Sequence, residues 1–220
     1  MRLSDQIKYA IDDADAGKPE SALLHACIGI DSTSKRLFPH STQVGVRFVN
    51  TIRNYYWILE TLVGSGFDLT QTRFSNIIIK NNREPDIADI IYEIFRCNHA
   101  HGAEVPETFS LTKSSGVFNS EWLFGPNELH IPDRIIWALL AISVFAKVNK
   151  NQNTNSEHYL SLGNEIFPIR DWWGREDDFR LIADRCNRVK IKIERLDRLL
   201  ENQNKPERKI ANVIVLNPTF

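Results

Sequence analysis

Apolar residues recur at intervals of three and four along most of this chain, which is the spacing of one face of an α-helix. The first run ends at Gly17-Lys18-Pro19, and Pro19 opens a second helix that closes near Pro39. A third helix is predicted over residues 44–63, and another begins at Pro85-Asp86. This periodicity predicts a mainly α-helical fold.

The period changes between residues 109 and 131, where short apolar groups are separated by Gly, Ser and Asn. That pattern predicts a β-hairpin or small meander inserted between helices. A strongly apolar helix then begins at Pro132-Asp133 and ends near Val148, which makes it too short to span a bilayer. Two more helices are predicted, one at 158–166 and a long one at about 176–202.

A length of 220 residues suits one domain with a small extension. We therefore predict a single helical domain over residues 1–202, with the β-hairpin inserted at about 109–131 and a helical extension at about 150–202. Residues 203–220 are predicted to be a tail, in which Val213-Ile214-Val215-Leu216 has the character of an isolated strand.

Charge and cysteine content bound the class of protein. Lys and Arg number 27 against 28 Asp and Glu, so the formal net charge of −1 excludes a strongly polyanion-seeking chain but permits a local nucleic-acid site. Cys27, Cys97 and Cys186 are odd in number and far apart, which disfavours a disulfide framework. The N-terminus lacks the apolar core of a signal peptide, so we expect a cytoplasmic protein that does not enter a membrane.

Familiar cofactor and hydrolase motifs are missing: the sequence contains no GxGxxG, no GxxxxGK[ST], no HExxH and no GxSxG. A dinucleotide-dependent or P-loop enzyme is therefore disfavoured, and no cofactor is predicted. His130 and His158 stand isolated in the sequence, so a second cluster of metal ligands is not apparent.

The densest polar segment places Arg96, Asn98, His99 and His101 within six residues at the end of a predicted helix. Arginine keeps its charge and forks onto phosphate oxygens, while histidine exchanges protons near neutral pH. Together they can promote phosphoryl transfer on RNA, whose 2′-hydroxyl is the nucleophile, without a metal ion.

Other interpretations of the same segment remain open. Arg96 could pair with Glu93, and the two histidines could simply favour the negative end of a helix dipole. Cys97, His99 and His101 alternate, as zinc ligands on a strand would, but this segment has helical periodicity, so a metal site is disfavoured.

Arg96-x4-His101, with Asn98 inside it and an apolar helical run before it, resembles the Arg-x(4–6)-His motif of HEPN domains. The helix pair at residues 7–39 is similar to the opening of bacterial HEPN-like proteins. The later order of motif helix, β-hairpin and apolar helix is also similar, so that the resemblance covers roughly residues 3–149.

The resemblance implies an up-and-down helical bundle that forms a homodimer through its motif helices, where two Arg/His pairs face a shared cleft. It further implies metal-independent RNA cleavage, in which Arg96 binds phosphate, His101 is the general acid or base and Asn98 supports them. Family roles in phage defence or as a toxin would add a protein partner such as an antitoxin.

Two further points about this site stay open. On an ideal helix His101 lies about 140° from Arg96, whereas His99 lies only about 60° away, so geometry permits His99 although the family spacing favours His101. Asp31 and Lys35 on the second helix could line the same cleft, or could form an ordinary ion pair one turn apart.

The alternative function is a non-catalytic HEPN-like module that binds nucleotides, RNA or a protein. The C-terminal helix, with its apolar seam and its strand-like tail, would then be the working surface, and the tail could add a strand to the hairpin or to a partner. Trp172-Trp173 could stack on bases, but an aromatic plug of the bundle is the favoured interpretation.

Overall fold

The computed structural model describes residues 2–63, 67–79, 84–100, 104–114, 121–154, 157–186 and 212–215. Over these residues the protein is mainly helical with a small sheet, as the periodicity predicted. The chain divides into two compact units. The first comprises Met1–Leu62 and Arg134–Asn187, and the second comprises Val63–Asp133 and Arg188–Phe220.

The helices of the described residues are α1 (Leu3–Asp15), α2 (Pro19–Leu37), α3 (Val44–Asn54), α4 (Tyr56–Leu62), α5 (Ile87–Ile90), α6 (Cys97–Ala100), α7 (Ile135–Phe145), α8 (Ile169–Trp172) and α9 (Glu176–Arg185). A π-helix (Ile91–Arg96) joins α5 to α6, and a 3-10 turn (Lys147–Asn149) follows α7. The strands are β1 (Phe109–Thr112), β2 (Glu121–Gly125), β3 (Glu128–Pro132), β4 (Tyr159–Leu162), β5 (Glu165–Pro168) and β6 (Asn212–Val215).

The first two helices have the bounds that their sequence predicted. The apolar stripe of α1 is buried against α2, and the chain leaves α1 through Gly17 at a φ of 72°. Pro19 occupies the first turn of α2, where its missing N–H would have no helical partner in any case. Local signals therefore suffice to define this helix pair.

The predicted helix at 44–63 is interrupted at Tyr55, which separates α3 from α4. Tyr55 is buried, and its hydroxyl donates a hydrogen bond of 2.8 Å to Glu176 Oε2. Burial, together with the neighbouring Glu176 carboxylate, raises the pKa of this phenol well above its usual value. A tertiary contact thus accompanies the break in a segment whose local periodicity favours one continuous helix.

Helix α7 forms the centre of the first unit, with all of its residues buried except Trp137. A helix that is apolar on every side must be surrounded by protein, and α2, α4 and α8 pack around this one. At its end Phe145 stacks on Phe179 and meets Trp172 edge-on. Trp173 is buried as well, which confirms the predicted aromatic plug.

The helix predicted at 158–166 is wrong: β4 and β5 form an antiparallel hairpin here. Its turn contains Gly163 at a φ of 60°, and alternate residues such as Leu160 and Phe167 enter the core. The helical extension predicted for about 150–202 is therefore partly β-structure. Of the long last helix, α9 accounts for Glu176–Arg185, and the remainder to residue 202 lies outside the described residues.

The second unit contains a four-stranded sheet in the order β1-β3-β2-β6. Strands β2 and β3 form an antiparallel hairpin, which confirms β-structure within 109–131, but β1 runs parallel to β3 and so does not belong to a simple meander. Strand β6 pairs antiparallel with β2. The tail thus adds a strand to its own chain's hairpin, one of the two pairings predicted for it.

Asn149 is fully buried and ties α2 to the end of α7. Its Nδ2 donates to Thr33 Oγ1 at 2.9 Å and to Ser143 O at 2.7 Å, while its Oδ1 accepts from Arg36 Nη1 at 2.7 Å. Ser143 O is one of the last four carbonyls of α7, which have no helical partner. The Asn149 side chain therefore supplies the hydrogen-bond donor that this buried carbonyl at the end of α7 needs.

We expect Asn149→Ala to lower the free energy of unfolding by about 2 kcal/mol, because it leaves a buried carbonyl and a buried hydroxyl short of a partner. Urea denaturation measures the change. Asn151→Ala, on an exposed residue of the same loop, is the matched control and should stay within about 0.5 kcal/mol of the wild type. Equal effects of the two substitutions would contradict the role given to Asn149.

Candidate functional site

The motif helix begins where the sequence predicted, at Pro85-Asp86. Asp86 Oδ1 accepts from Asp89 N at 3.0 Å, and Asp89 Oδ2 accepts from Asp86 N at 3.3 Å, which is a reciprocal capping box. The apolar residues predicted for its inner face include Ile87, Ile90 and Phe95, and all three are buried. The segment that carries the motif is therefore anchored in the second unit from its first residue.

The helix changes its hydrogen-bond register before it reaches the motif. Ile91–Arg96 is a π-helix of six residues, and Cys97 N donates to Tyr92 O, five positions back. π-helical turns are rare and occur frequently at functional sites. The segment returns to α-helix at Cys97, so the register changes directly after Arg96.

Arg96 is half-buried, and its guanidinium lies over the ring of Tyr92, with 5.6 Å between Cζ and the ring centroid. Burial raises the pKa of the Tyr92 phenol, and neighbouring Cys97 raises it further, although the charge of Arg96 acts in the opposite direction. Tyr92 therefore presents a neutral ring at pH 7, whose face attracts the permanent charge of Arg96. This contact helps to orient the guanidinium.

The structure places the other predicted site residues as follows. Asn98 is half-buried on α6, two residues after Arg96. The backbone of His99 belongs to α6, whereas His101 lies outside the described residues, so the choice between these two histidines stays a prediction. Arg96 and Asn98 are thus held on one short helical segment.

Asp31 and Lys35 lie on α2 in the first unit, not on the element that carries the motif. Asp31 is half-buried and Lys35 is exposed. The shared cleft proposed for these two residues and the motif remains a prediction, as does the homodimer. No helix in the described ranges is long and apolar enough to cross a membrane.

Metal binding is another interpretation of the motif segment. Within the described residues, no group of three or more His, Cys, Asp or Glu side chains is arranged to hold a metal ion. Cys97 and the backbone of His99 lie in a helix, whereas the alternating spacing of Cys97, His99 and His101 requires an extended strand to converge.

Two histidines that stand isolated in the sequence have partners in the fold. His158 Nε2 lies 2.9 Å from Asp12 Oδ1, and Asp12 also forms an ion pair of 2.7 Å with Lys8. The hydrogen bond from Lys8, and secondarily that from His158, lowers the pKa of Asp12. His130 lies between Ser110 and Glu128. The sequence does not reveal these contacts. Asp12 and His158 are far apart in the chain, and Ser110 meets His130 only because β1 pairs with β3 in this register.

These features define a mainly helical protein with a small mixed sheet and a candidate site that contains Arg96 at the end of a π-helix. The chain belongs to the Rv1289 family, whose family model matches residues 2–197.

Similar proteins include Uncharacterized protein Rv1289 of Mycobacterium tuberculosis and Uncharacterized protein Mb1320 of Mycobacterium bovis. Each is 29% identical to this chain over 196 residues, which cover 87% of this chain and 93% of the relative. The similarity thus extends through both units. No solved structure matches the chain significantly.

Proposed function

We propose that this protein is a metal-independent endoribonuclease of HEPN type that works as a homodimer through its motif helices. The observation that carries the proposal is the π-helix that ends at Arg96, within five residues of Asn98, His99 and His101 in the sequence. An irregular helix of a kind common at functional sites thus coincides with the segment richest in groups for phosphoryl transfer.

In this proposal Arg96 binds the non-bridging oxygens of the scissile phosphate and offsets the charge that develops on them. His101 acts as general acid or base, and Asn98 supports the pair. The RNA 2′-oxygen loses its proton and bonds to phosphorus, while the bond from phosphorus to the 5′-oxygen breaks and that oxygen gains a proton. The products are a 2′,3′-cyclic phosphate and a 5′-hydroxyl.

Tyr92 has a positioning role in the same mechanism. Its ring lies under the Arg96 guanidinium, and its raised pKa keeps the phenol neutral through the pH range in which histidine exchanges protons. A neutral ring avoids a second negative charge that would compete with the phosphate for Arg96. The biological setting that we propose is phage defence or a toxin–antitoxin pair.

RNA cleavage in EDTA tests this function. The full-length protein is incubated with structured and unstructured RNAs, and the product ends are mapped by enzymes that distinguish cyclic phosphate, 3′-phosphate and 3′-hydroxyl. We expect cutting to persist in EDTA and to leave cyclic phosphate ends. Cutting that requires a divalent metal ion or leaves 3′-hydroxyl ends would contradict the proposal.

A non-catalytic binding module is the second candidate, and the arrangement of the sheet favours it specifically. Strand β6 already pairs with β2, and β1 forms the opposite edge of the sheet in the described part of the chain. An edge strand can accept a partner's strand through its main chain. Stable RNA or protein binding by the same preparation, without any cleavage across the RNA panel, would favour this function.

A further inference from the structure

We propose that Ser110, His130 and Glu128 form a second site, in which Ser110 is a nucleophile toward carboxylic acid esters. Ser110 Oγ lies 2.6 Å from His130 Nδ1, and His130 Nε2 lies 2.7 Å from Glu128 Oε1. A hydroxyl, a base within hydrogen-bond reach and an acid that orients the base are the parts of an activated nucleophile. This chemistry goes beyond the proposed cleavage of RNA.

The sheet register brings the three side chains together. Strands β1 and β3 run parallel with Ser110 directly opposite His130. Glu128 precedes His130 by two positions on β3, and residues two apart on a strand point to the same face. All three side chains therefore lie on one face of the sheet, while neighbouring residues such as Leu129 and Ile131 enter the core.

The two short contacts of His130 fit one tautomer that suits the proposed role. In that tautomer the Nε2–H donates to the Glu128 carboxylate, and the Nδ1 lone pair accepts the Ser110 hydroxyl proton. The ring is reversed relative to the familiar serine protease arrangement, but the roles are the same, and such sites are recognised by roles rather than by sequence order. The His130 side chain is 16% exposed, whereas Ser110 is open to solvent and accessible to a substrate.

Gly125 makes room for the orienting acid. It pairs with Glu128 across the β2–β3 hairpin, and a Cβ added at this position would collide with Glu128 Oε2. The Glu128 carboxylate therefore reaches over the glycine to His130. Gly125→Ala should therefore disturb the orientation of Glu128 without removing any of the three polar groups.

A main-chain donor lies beside the nucleophile. Thr112 O accepts a hydrogen bond from Asp133 N at 2.8 Å. In a parallel pair the N–H and C=O of one residue point to the same side, so those of the even-numbered residues of β1 point toward β3. The N–H of Leu111 is directed to the other edge, where no strand of the described residues pairs with β1. The N–H after a nucleophilic serine is a donor of the kind that stabilises an oxyanion.

In the reaction, Ser110 Oγ bonds to the ester carbonyl carbon while His130 Nδ1 takes the hydroxyl proton. The bond from that carbon to the alcohol oxygen then breaks, and His130 returns the proton to the leaving alcohol. Water repeats the same steps to release the acid and regenerate Ser110. No redox partner or metal ion is needed for this balance.

The test uses the full-length protein with a fluorophosphonate probe, which forms an Oγ–P bond and releases fluoride, and with p-nitrophenyl acetate. We expect the probe mass on the peptide that contains Ser110, and none in Ser110→Ala. His130→Ala should slow labelling and ester cleavage by about 100-fold or more, because the general base is lost. Gly125→Ala and Glu128→Gln should slow both reactions to a smaller extent.

Ser161→Ala is the matched control, because Ser161 is also an exposed serine on a strand but belongs to β4. It should label at the wild-type rate. An unlabelled wild type, a label on another residue, or a His130→Ala variant that reacts as fast as the wild type would overturn the proposal. RNA cleavage should be unchanged in Ser110→Ala, so failure of either proposal can be recognised separately.

Discussion

Replacing Arg96 by alanine is expected to lower the rate of RNA cleavage by about 10²–10³-fold, the loss typical when one donor to a developing oxyanion is removed. Arg96→Lys keeps the charge but loses the two-pronged contact with phosphate, so we expect only partial recovery. The measurement is single-turnover cleavage of one RNA in EDTA. Thermal unfolding monitors the fold of each variant in parallel.

Because Arg96→Ala also removes the half-buried cation–π contact with the Tyr92 ring, which contributes about 1 kcal/mol, the rate is compared only for a variant whose thermal unfolding shows that it is folded. Arg170, which is 55% exposed on α8, is the matched control, and Arg170→Ala should cut at the wild-type rate. Full activity of a folded Arg96→Ala variant would exclude this arginine from the chemistry.

The same assay distinguishes the two histidines. If His101 is the general acid or base, His101→Ala should lose about 10²–10⁴-fold in rate while His99→Ala keeps most of its activity. The reverse result would assign the role to His99, as geometry on an ideal helix permits. A His101→Ala and a His99→Ala variant that are both fully active would rule out the proposed mechanism.

Gly174→Ala is expected to cost about 3 kcal/mol of unfolding free energy, for two separate reasons. Gly174 has a φ of 73°, which costs a residue with a Cβ about 1 kcal/mol or more. In addition, its Cβ would come within 2.5 Å of Lys150 Cα, and backbone cannot move aside as the tip of a side chain can. Equilibrium denaturation followed by tryptophan fluorescence measures the loss.

Gly163 separates these two causes. Its φ of 60° is similar, but a Cβ there would meet nothing within 4 Å. Gly163→Ala should therefore show only the conformational cost, about 1 kcal/mol. If both substitutions lower the unfolding free energy by the same amount, the close approach of Gly174 to Lys150 contributes nothing to the cost.

Features that depend on neighbouring residues could be predicted from the sequence. Pro19 at the start of α2, Gly17 after α1 and Pro85-Asp86 before α5 are local signals, and the structure confirms each helix boundary that they predicted. The β4–β5 hairpin was missed because its strands have only four residues each, too few for a period of two to outweigh a helical one.

The same distinction between local signals and tertiary contacts applies to the two candidate sites. The sequence by itself determined the first helix pair, the start of the motif helix, the position of the β-region at 109–131 and the cluster of polar groups around Arg96, because those depend on local spacing and residue type. Only the tertiary structure decided the π-helix at Ile91–Arg96, the pairing of β6 with β2 and the contacts of His130. Ser110 reaches His130 because β1 pairs in parallel with β3, beyond the strand that follows it in sequence. Such pairing is selected by packing between distant segments, which leaves no signal in the local pattern.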